Sequence, residues 1–119
     1  MKIEQIGLAG SDERGYTAEY LHNRAGTQLI LFRKAGSVSG RHYHKGLSVT
    51  KAPEILILLH GKMRFNWRPV DAAELETAMV EGPAKVEMLA MVWHELVAET
   101  DCVLVEMNSI AEHVADTLY

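Results

Sequence analysis

The sequence predicts an all-β domain built as a barrel or a sandwich, and three observations carry that expectation. Most of the chain divides into short runs rich in Leu, Ile, Val and aromatic residues. Turn signals, most of them containing glycine, separate these runs. At least one run alternates apolar and polar residues with the two-residue period of a half-buried strand.

The runs follow in order. TQLILFRK (27–34) is the first and is closed by Ala35-Gly36. PEILILLH (53–60) ends at Gly61-Lys62, and MRFNWRPV (63–70) follows at once, which predicts a hairpin at Gly61. DAAELETAM (71–79) reads equally as a helical turn or a long loop. KVEMLAMVWHELVAE (85–99) holds two strands, and CVLVEM (102–107) is another after the turn-like Glu99-Thr100-Asp101. In the tail, SIAEHVADTLY, Ser109 is placed as an N-cap before apolar residues at helical spacing, which predicts a short C-terminal helix. No repeat, low-complexity tract or linker divides the chain, so the expectation is one domain over residues 1–119.

Register adds detail. Along 54–60, Glu54, Leu56, Leu58 and His60 share one face, and Ile55, Ile57 and Leu59 share the other. Both faces are largely apolar, so this strand should be covered on both sides, by a second sheet or by a partner subunit. In the next run Met63, Phe65 and Trp67 form an apolar, core-directed face and Lys62, Arg64, Asn66 and Arg68 a wet one.

Composition narrows the function classes. With 48% hydrophobic and 24% charged residues, the chain has the balance of a globular protein rather than a disordered one. A formal net charge of -4, with no basic cluster interleaved with aromatics, argues against nucleic-acid binding. The longest apolar run, Met88–Trp93, is far short of the ~20 residues that cross a bilayer. The N-terminal residues lack the apolar stretch of a signal peptide. The resulting expectation is a cytoplasmic protein without membrane partners. Cys102 is the only cysteine, which excludes an internal disulfide and a cysteine-based zinc site; its strand context predicts a buried, inert thiol.

The chemistry gathers in three segments. GSVSGRHYHKG (36–46) places His42 and His44 two residues apart, a spacing that on a strand aims both rings to one face and Tyr43 to the other. Glu54 begins the most hydrophobic run, where a carboxylate costs several kcal/mol unless it is paired or bound to a cation. His94 lies between Val92 and Leu96 on its own face. Neutral imidazoles with one carboxylate suit a divalent first-row metal, and four protein ligands on an octahedral ion leave two positions for water or substrate.

These residues resemble the first motif of the cupin superfamily, which are small jelly-roll β-barrels (double-stranded β-helices) with a metal in the mouth. The family pattern is a glycine, five residues, His-x-His, a short gap, a glutamate, six residues and a glycine. Here Gly36, His42, His44, Glu54 and Gly61 occupy those places, and VEMLAMVWHEL supplies the histidine of the second motif as His94. The resemblance covers roughly residues 27–107 and is to the small single-domain, metal-binding cupins of the conserved-barrel type. It implies His42, His44, Glu54 and His94 as ligands of a divalent transition metal (Fe, Mn, Zn, Ni or Cu). The chain departs from the pattern twice. Nine residues separate His44 from Glu54, where the family has three or four, so this loop should bulge over the barrel mouth. Leu89-Ala90-Met91 stands where the second motif has Pro-x-Gly. Sharing Glu54's face, His60 is the alternative fourth ligand. His22 is expected at a strand-end surface and His113 on the tail helix, neither as a ligand.

The resemblance implies a metal-dependent enzyme acting on a small molecule, such as a sugar or sugar-nucleotide isomerase or epimerase, or a dioxygenase. The alternative is a non-catalytic module that binds or senses a small ligand. No proton-transfer residue is assigned by the motifs; Glu106 and His60 are candidates by strand position alone. The apolar stripe Ile55, Ile57 and Leu59, opposite the ligands, predicts a homodimer in which a two-fold partner covers it.

Overall fold

The computed structural model describes all 119 residues. Eleven strands and one helix follow one another: β1 (Lys2–Gln5), β2 (Leu8–Asp12), β3 (Gly15–Ala18), β4 (Leu29–Arg33), β5 (Val38–His42), β6 (Glu54–His60), β7 (Lys62–Pro69), β8 (Glu76–Glu81), β9 (Ala84–Met88), β10 (Val92–Ala98), β11 (Cys102–Glu106) and α1 (Ile110–Ala115). Two antiparallel sheets face each other in the jelly-roll barrel of the cupin fold. One has the order β1-β9-β6-β11-β4 and the other β5-β10-β7-β8; β2 and β3 form a separate hairpin. No helix is long and apolar enough to cross a membrane.

The core lies between the sheets. Leu56 and Leu58 of β6 meet Met63 and Phe65 of β7, with Val86, Met88, Leu96 and Leu104 completing the cluster and Trp67 packed against its edge. The alternation predicted for β7 is therefore the observed one. Burying a side chain the size of Leu or Phe stabilises the fold by about 1.5–3 kcal/mol, so this shared interior is what joins the two sheets. Cys102 is buried within it as a free thiol.

Two expectations about the fold change, and one reason for a partner subunit loses its support. The connection at Gly61 is not a hairpin: β6 pairs with β9 and β11, whereas β7 pairs with β10 and β8. Gly61 carries the chain from one sheet to the other. Its φ of 104° favours glycine, and a Cβ there would collide with the Asp101 carbonyl and lie 2.7 Å from Cys102 Sγ. Residues 76–81, which begin inside the stretch 71–79 read as a helical turn or loop and run two residues past it, form β8, which pairs with β7 from Lys62↔Glu81 to Trp67↔Glu76. Pairing with an existing strand overrides the weak helical preference of that segment. Finally, the stripe opposite the ligands is covered within the chain. Ile55 and Ile57 cluster with Ile6 and Met107, and Ala18, Leu59 and Val105 pack on them. The stripe thus supplies no reason for a two-fold partner.

The C-terminal helix is present as expected. Ser109 Oγ accepts from Glu112 N–H, and the Glu112 carboxylate returns the bond to Ser109 N–H, a complete capping box. The helix and the residues after it lie over the barrel mouth. Tyr43 and Leu118 exchange two backbone hydrogen bonds, at 2.8 and 2.9 Å. The Asp116 carboxylate accepts from the backbone N–H groups of Lys45, Gly46, Leu47 and Ser48. The long connection after His44 is therefore fastened to the tail.

A histidine cluster at the barrel mouth

His42 ends β5 and stands opposite His94 of β10. Their approach depends on Gly40. The register slips between His94 and Glu95, Gly40 adopts φ 86°, and a Cβ on it would lie 2.9 Å from the His94 carbonyl oxygen. A glycine is required there both for the bulge and for the space. His44 follows two residues later, and the three rings pack with centroids 4.8–5.4 Å apart. One nitrogen from each of His42, His44 and His94 lies within 4.8 Å of the others. Glu54, at the start of β6, brings its carboxylate to the same place. Where the second motif lacks its glycine, Met91 takes the left-handed conformation, with φ 61°, and donates its N–H to the His44 carbonyl at 2.7 Å.

The hydrogen bonds fix which atoms are free. His44 Nδ1 is 2.6 Å from the Asp116 carbonyl oxygen, so Nδ1 carries a proton and Nε2 is the nitrogen turned to the site. His94 Nδ1 is held in the same way by the Val92 carbonyl at 3.1 Å. Anchoring of one ring nitrogen by a backbone carbonyl is how metal-binding histidines are oriented. His44 Nε2 then lies 2.7 Å from Glu54 Oε2, yet neither atom is aligned for a hydrogen bond with any partner. At that distance the two atoms need positive charge between or beside them, which a proton on Nε2, the Lys51 ammonium on Oε1 or a bound metal ion supplies. These residues fit a divalent metal.

Electrostatics agree. Burial, reinforced by the neighbouring histidines, pulls His42 down to about 3 and His94 to about 4, so both rings are neutral and have lone pairs to donate. Burial alone would raise the Glu54 carboxyl, but His44 and the Lys51 ammonium outweigh it and hold the group well below the usual carboxylate range. Glu106, on the cavity wall, goes the other way: burial first, then the Glu54 charge, push it up to about 7.

His42, Glu54 and His94 line a cavity whose apolar wall is Leu31, Leu56, Met63, Met88, Leu96 and Leu104; Arg33, Ser39, Glu106 and His113 are its other polar members. His60, the alternative ligand, is exposed at the other end of β6, about 20 Å of strand from Glu54. Sharing a face did not bring it to the site, and the same distance removes it as a proton carrier. His22 accepts from Arg24 N–H, away from the cluster. His113 lies on the tail helix as expected, but it comes closer to the cluster than a place on the tail implied. Its ring centroid lies 5.3 Å from that of His42 and 5.6 Å from that of His44, because the tail folds back over the mouth. Lys51, assigned no role from sequence, is completely buried, with Nζ 2.9 Å from Glu54 Oε1. Its place three residues before Glu54, inside the overlong loop, was the only available signal.

A jelly-roll barrel with a histidine-rich cluster at its mouth defines the class: this is a cupin-fold protein with a buried polar site. Residues 10–116 match the family model described as "Polysaccharide biosynthesis C-terminal domain", and the chain belongs to that family, rather than to the general conserved-barrel type. No curated protein matches it in sequence. Among solved structures it is similar to QdtA, a sugar 3,4-ketoisomerase from Thermoanaerobacterium thermosaccharolyticum in complex with TDP. The TM-score is 0.71 and the identity 17%, over 98% of this chain and 85% of that one. The capsular polysaccharide assembling protein CapF from Staphylococcus aureus matches with TM-score 0.65 and 21% identity; 96% of this chain covers 34% of CapF. ChmJ, a 3'-monoepimerase from Streptomyces bikiniensis in complex with dTDP-quinovose, matches with TM-score 0.70 and 14% identity, over 88% and 61%. At these identities the likeness establishes the shared fold.

Proposed function

We propose that this chain is a sugar-nucleotide isomerase or epimerase that uses a divalent metal held by His42, His44, His94 and Glu54. The observation that carries the reading is the His44 Nε2–Glu54 Oε2 pair, without a hydrogen-bond partner, inside a three-histidine cluster beside a cavity whose walls combine Leu and Met side chains with Arg33, Ser39, Glu106 and His113. The fold shared with sugar 3,4-ketoisomerases and a sugar epimerase supports the choice of substrate class over a dioxygenase.

Isomerisation or epimerisation beside a carbonyl needs a group that removes and returns a proton and another that stabilises the developing enolate oxygen. A bound divalent metal supplies Lewis acidity toward that oxygen. Glu106 is the residue placed to move the proton: it faces the cavity, and its carboxyl titrates near neutrality, where a base is most effective. Leu31, Leu56 and Leu104 line the same cavity.

The direct test incubates the protein with a TDP-4-keto-6-deoxy sugar in deuterated water and follows exchange at the carbon beside the ketone by NMR. Enzyme-dependent exchange is expected, reduced at least ~100-fold in Glu106→Gln. Saturable binding of the sugar nucleotide without exchange would overturn the catalytic reading and place the chain among ligand-binding cupins.

A further inference from the structure

Lys51 lies in the nine-residue connection between His44 and Glu54, and none of its side chain is exposed. A buried ammonium needs an acceptor for each of its three N–H groups, and the structure supplies three. Glu54 Oε1 accepts at 2.9 Å and His113 Nδ1 at 2.9 Å. The Asn108 amide, with its oxygen turned toward Lys51, accepts at 3.1 Å while its nitrogen donates to the Ser109 carbonyl at 3.2 Å.

The bond to His113 decides the tautomer of that ring. An ammonium has no lone pair, so Nδ1 must be the acceptor and the proton of the neutral imidazole sits on Nε2. A protonated ring nitrogen is not a metal ligand, and Nδ1 is already taken. Proximity would place His113 with the metal-binding histidines, since it groups closely with His44 and Glu54. The lysine separates it from them. Lys51 acts on Glu54 in the same way: Oε1 is engaged, and only Oε2 remains for a cation beside His44 Nε2.

We infer that Lys51 sorts the buried cluster, holding His113 as an Nε2–H hydrogen-bond donor for a ligand oxygen in the cavity and limiting the metal set to His42, His44, His94 and one oxygen of Glu54. Lys51 is thus a positioning residue, and His113 is the group that meets the ligand. The ligand this favours has a hydroxyl or carbonyl oxygen beside the one that reacts, as a keto sugar has. The statement about metal ligation rests on the proposed metal site; the tautomer does not.

Two measurements test it. Long-range proton–nitrogen NMR of the metal-stripped, 15N-labelled protein identifies the His113 resonances by their absence in His113→Ala. The expected pattern is the Nε2–H tautomer; an Nδ1–H tautomer overturns the inference. Zinc affinity is then measured by competition with a chromogenic chelator. His113→Ala is expected to bind zinc within about threefold of wild type, while His42→Ala loses at least ~100-fold. A loss of about tenfold or more in His113→Ala would make His113 a ligand and overturn the inference. If the wild type binds no zinc, the metal reading fails, and the tautomer of His113 still decides the role of Lys51. Because Lys51→Met strands the Glu54 carboxylate, the decision rests on the wild-type spectrum and on His113→Ala, both of which leave Lys51 in place.

Discussion

At the scale of single residues, the site is made by side chains that burial forces into unusual states. Glu106 shows the consequence most simply. Its carboxyl has an ordinary value of 4.5 and is raised to about 7 in the fold, so the folded protein favours the protonated form. Folding is penalised when the group must ionise. The penalty is absent below pH 4.5, grows between 4.5 and about 7, and is fully present above that. In metal-stripped protein, Glu106→Gln should therefore raise the stability to denaturant more at pH 8 than at pH 5. An equal effect at both values would show that Glu106 ionises freely. Gly40 is a residue of a different kind: it makes no contact with a ligand, yet without it β5 could not bulge to set His42 across from His94. His42, His44, Glu54 and His94 were legible in the spacing of the sequence, whereas the motif spacing names Gly36 and leaves Gly40 unmarked. Lys51 and His113 were not legible, because each reaches the site through a loop or a tail whose docking leaves no periodic trace.

At the scale of elements, the tail and the long loop stabilise each other. Asp116 satisfies four consecutive backbone N–H groups of the loop with one carboxylate, and Glu112 accepts from Ser48 and Thr50 of the same loop. Removing the Asp116 carboxylate takes away the shared acceptor of those four donors, and a donor left without one where water does not reach it costs about 1–3 kcal/mol. Asp116→Ala should lower unfolding stability by at least about 2 kcal/mol, and amide exchange should quicken at residues 45–48 before it does in β6 or β10. Unchanged exchange in the loop would show that the tail does not hold it. The strand set at 53–60, 63–70, 85–99 and 102–107 was readable from apolar runs and turns. The route of the chain at Gly61 was not: a glycine between two apolar runs signals a sharp bend, and only the pairing of β6 with β9 and β11, and of β7 with β8 and β10, shows that the bend changes sheets. For β8, the strand preference of 76–81 emerges only beside β7. The Ser109–Glu112 capping box announced the helix but not the surface on which it lies.

At the scale of the molecule, two sheets enclose an apolar core, and the buried polar residues of the chain converge at the barrel mouth. The fold class followed from run lengths and turns, and the cupin pattern from a few spaced residues. The burial of Ile55 and Ile57 beneath Ile6 and Met107 could not be read locally, because the covering residues come from opposite ends of the chain. With the stripe covered, the central claim is a statement about the mouth alone: it is built to hold a divalent metal. The most direct measurement is elemental analysis of the protein purified without added metal, repeated on His42→Ala and His94→Ala after each is shown to be folded. Roughly one divalent transition metal per wild-type chain is expected, with a large loss in both variants. Near-zero content in the wild type, unaltered by reconstitution and the same in both variants, would contradict it.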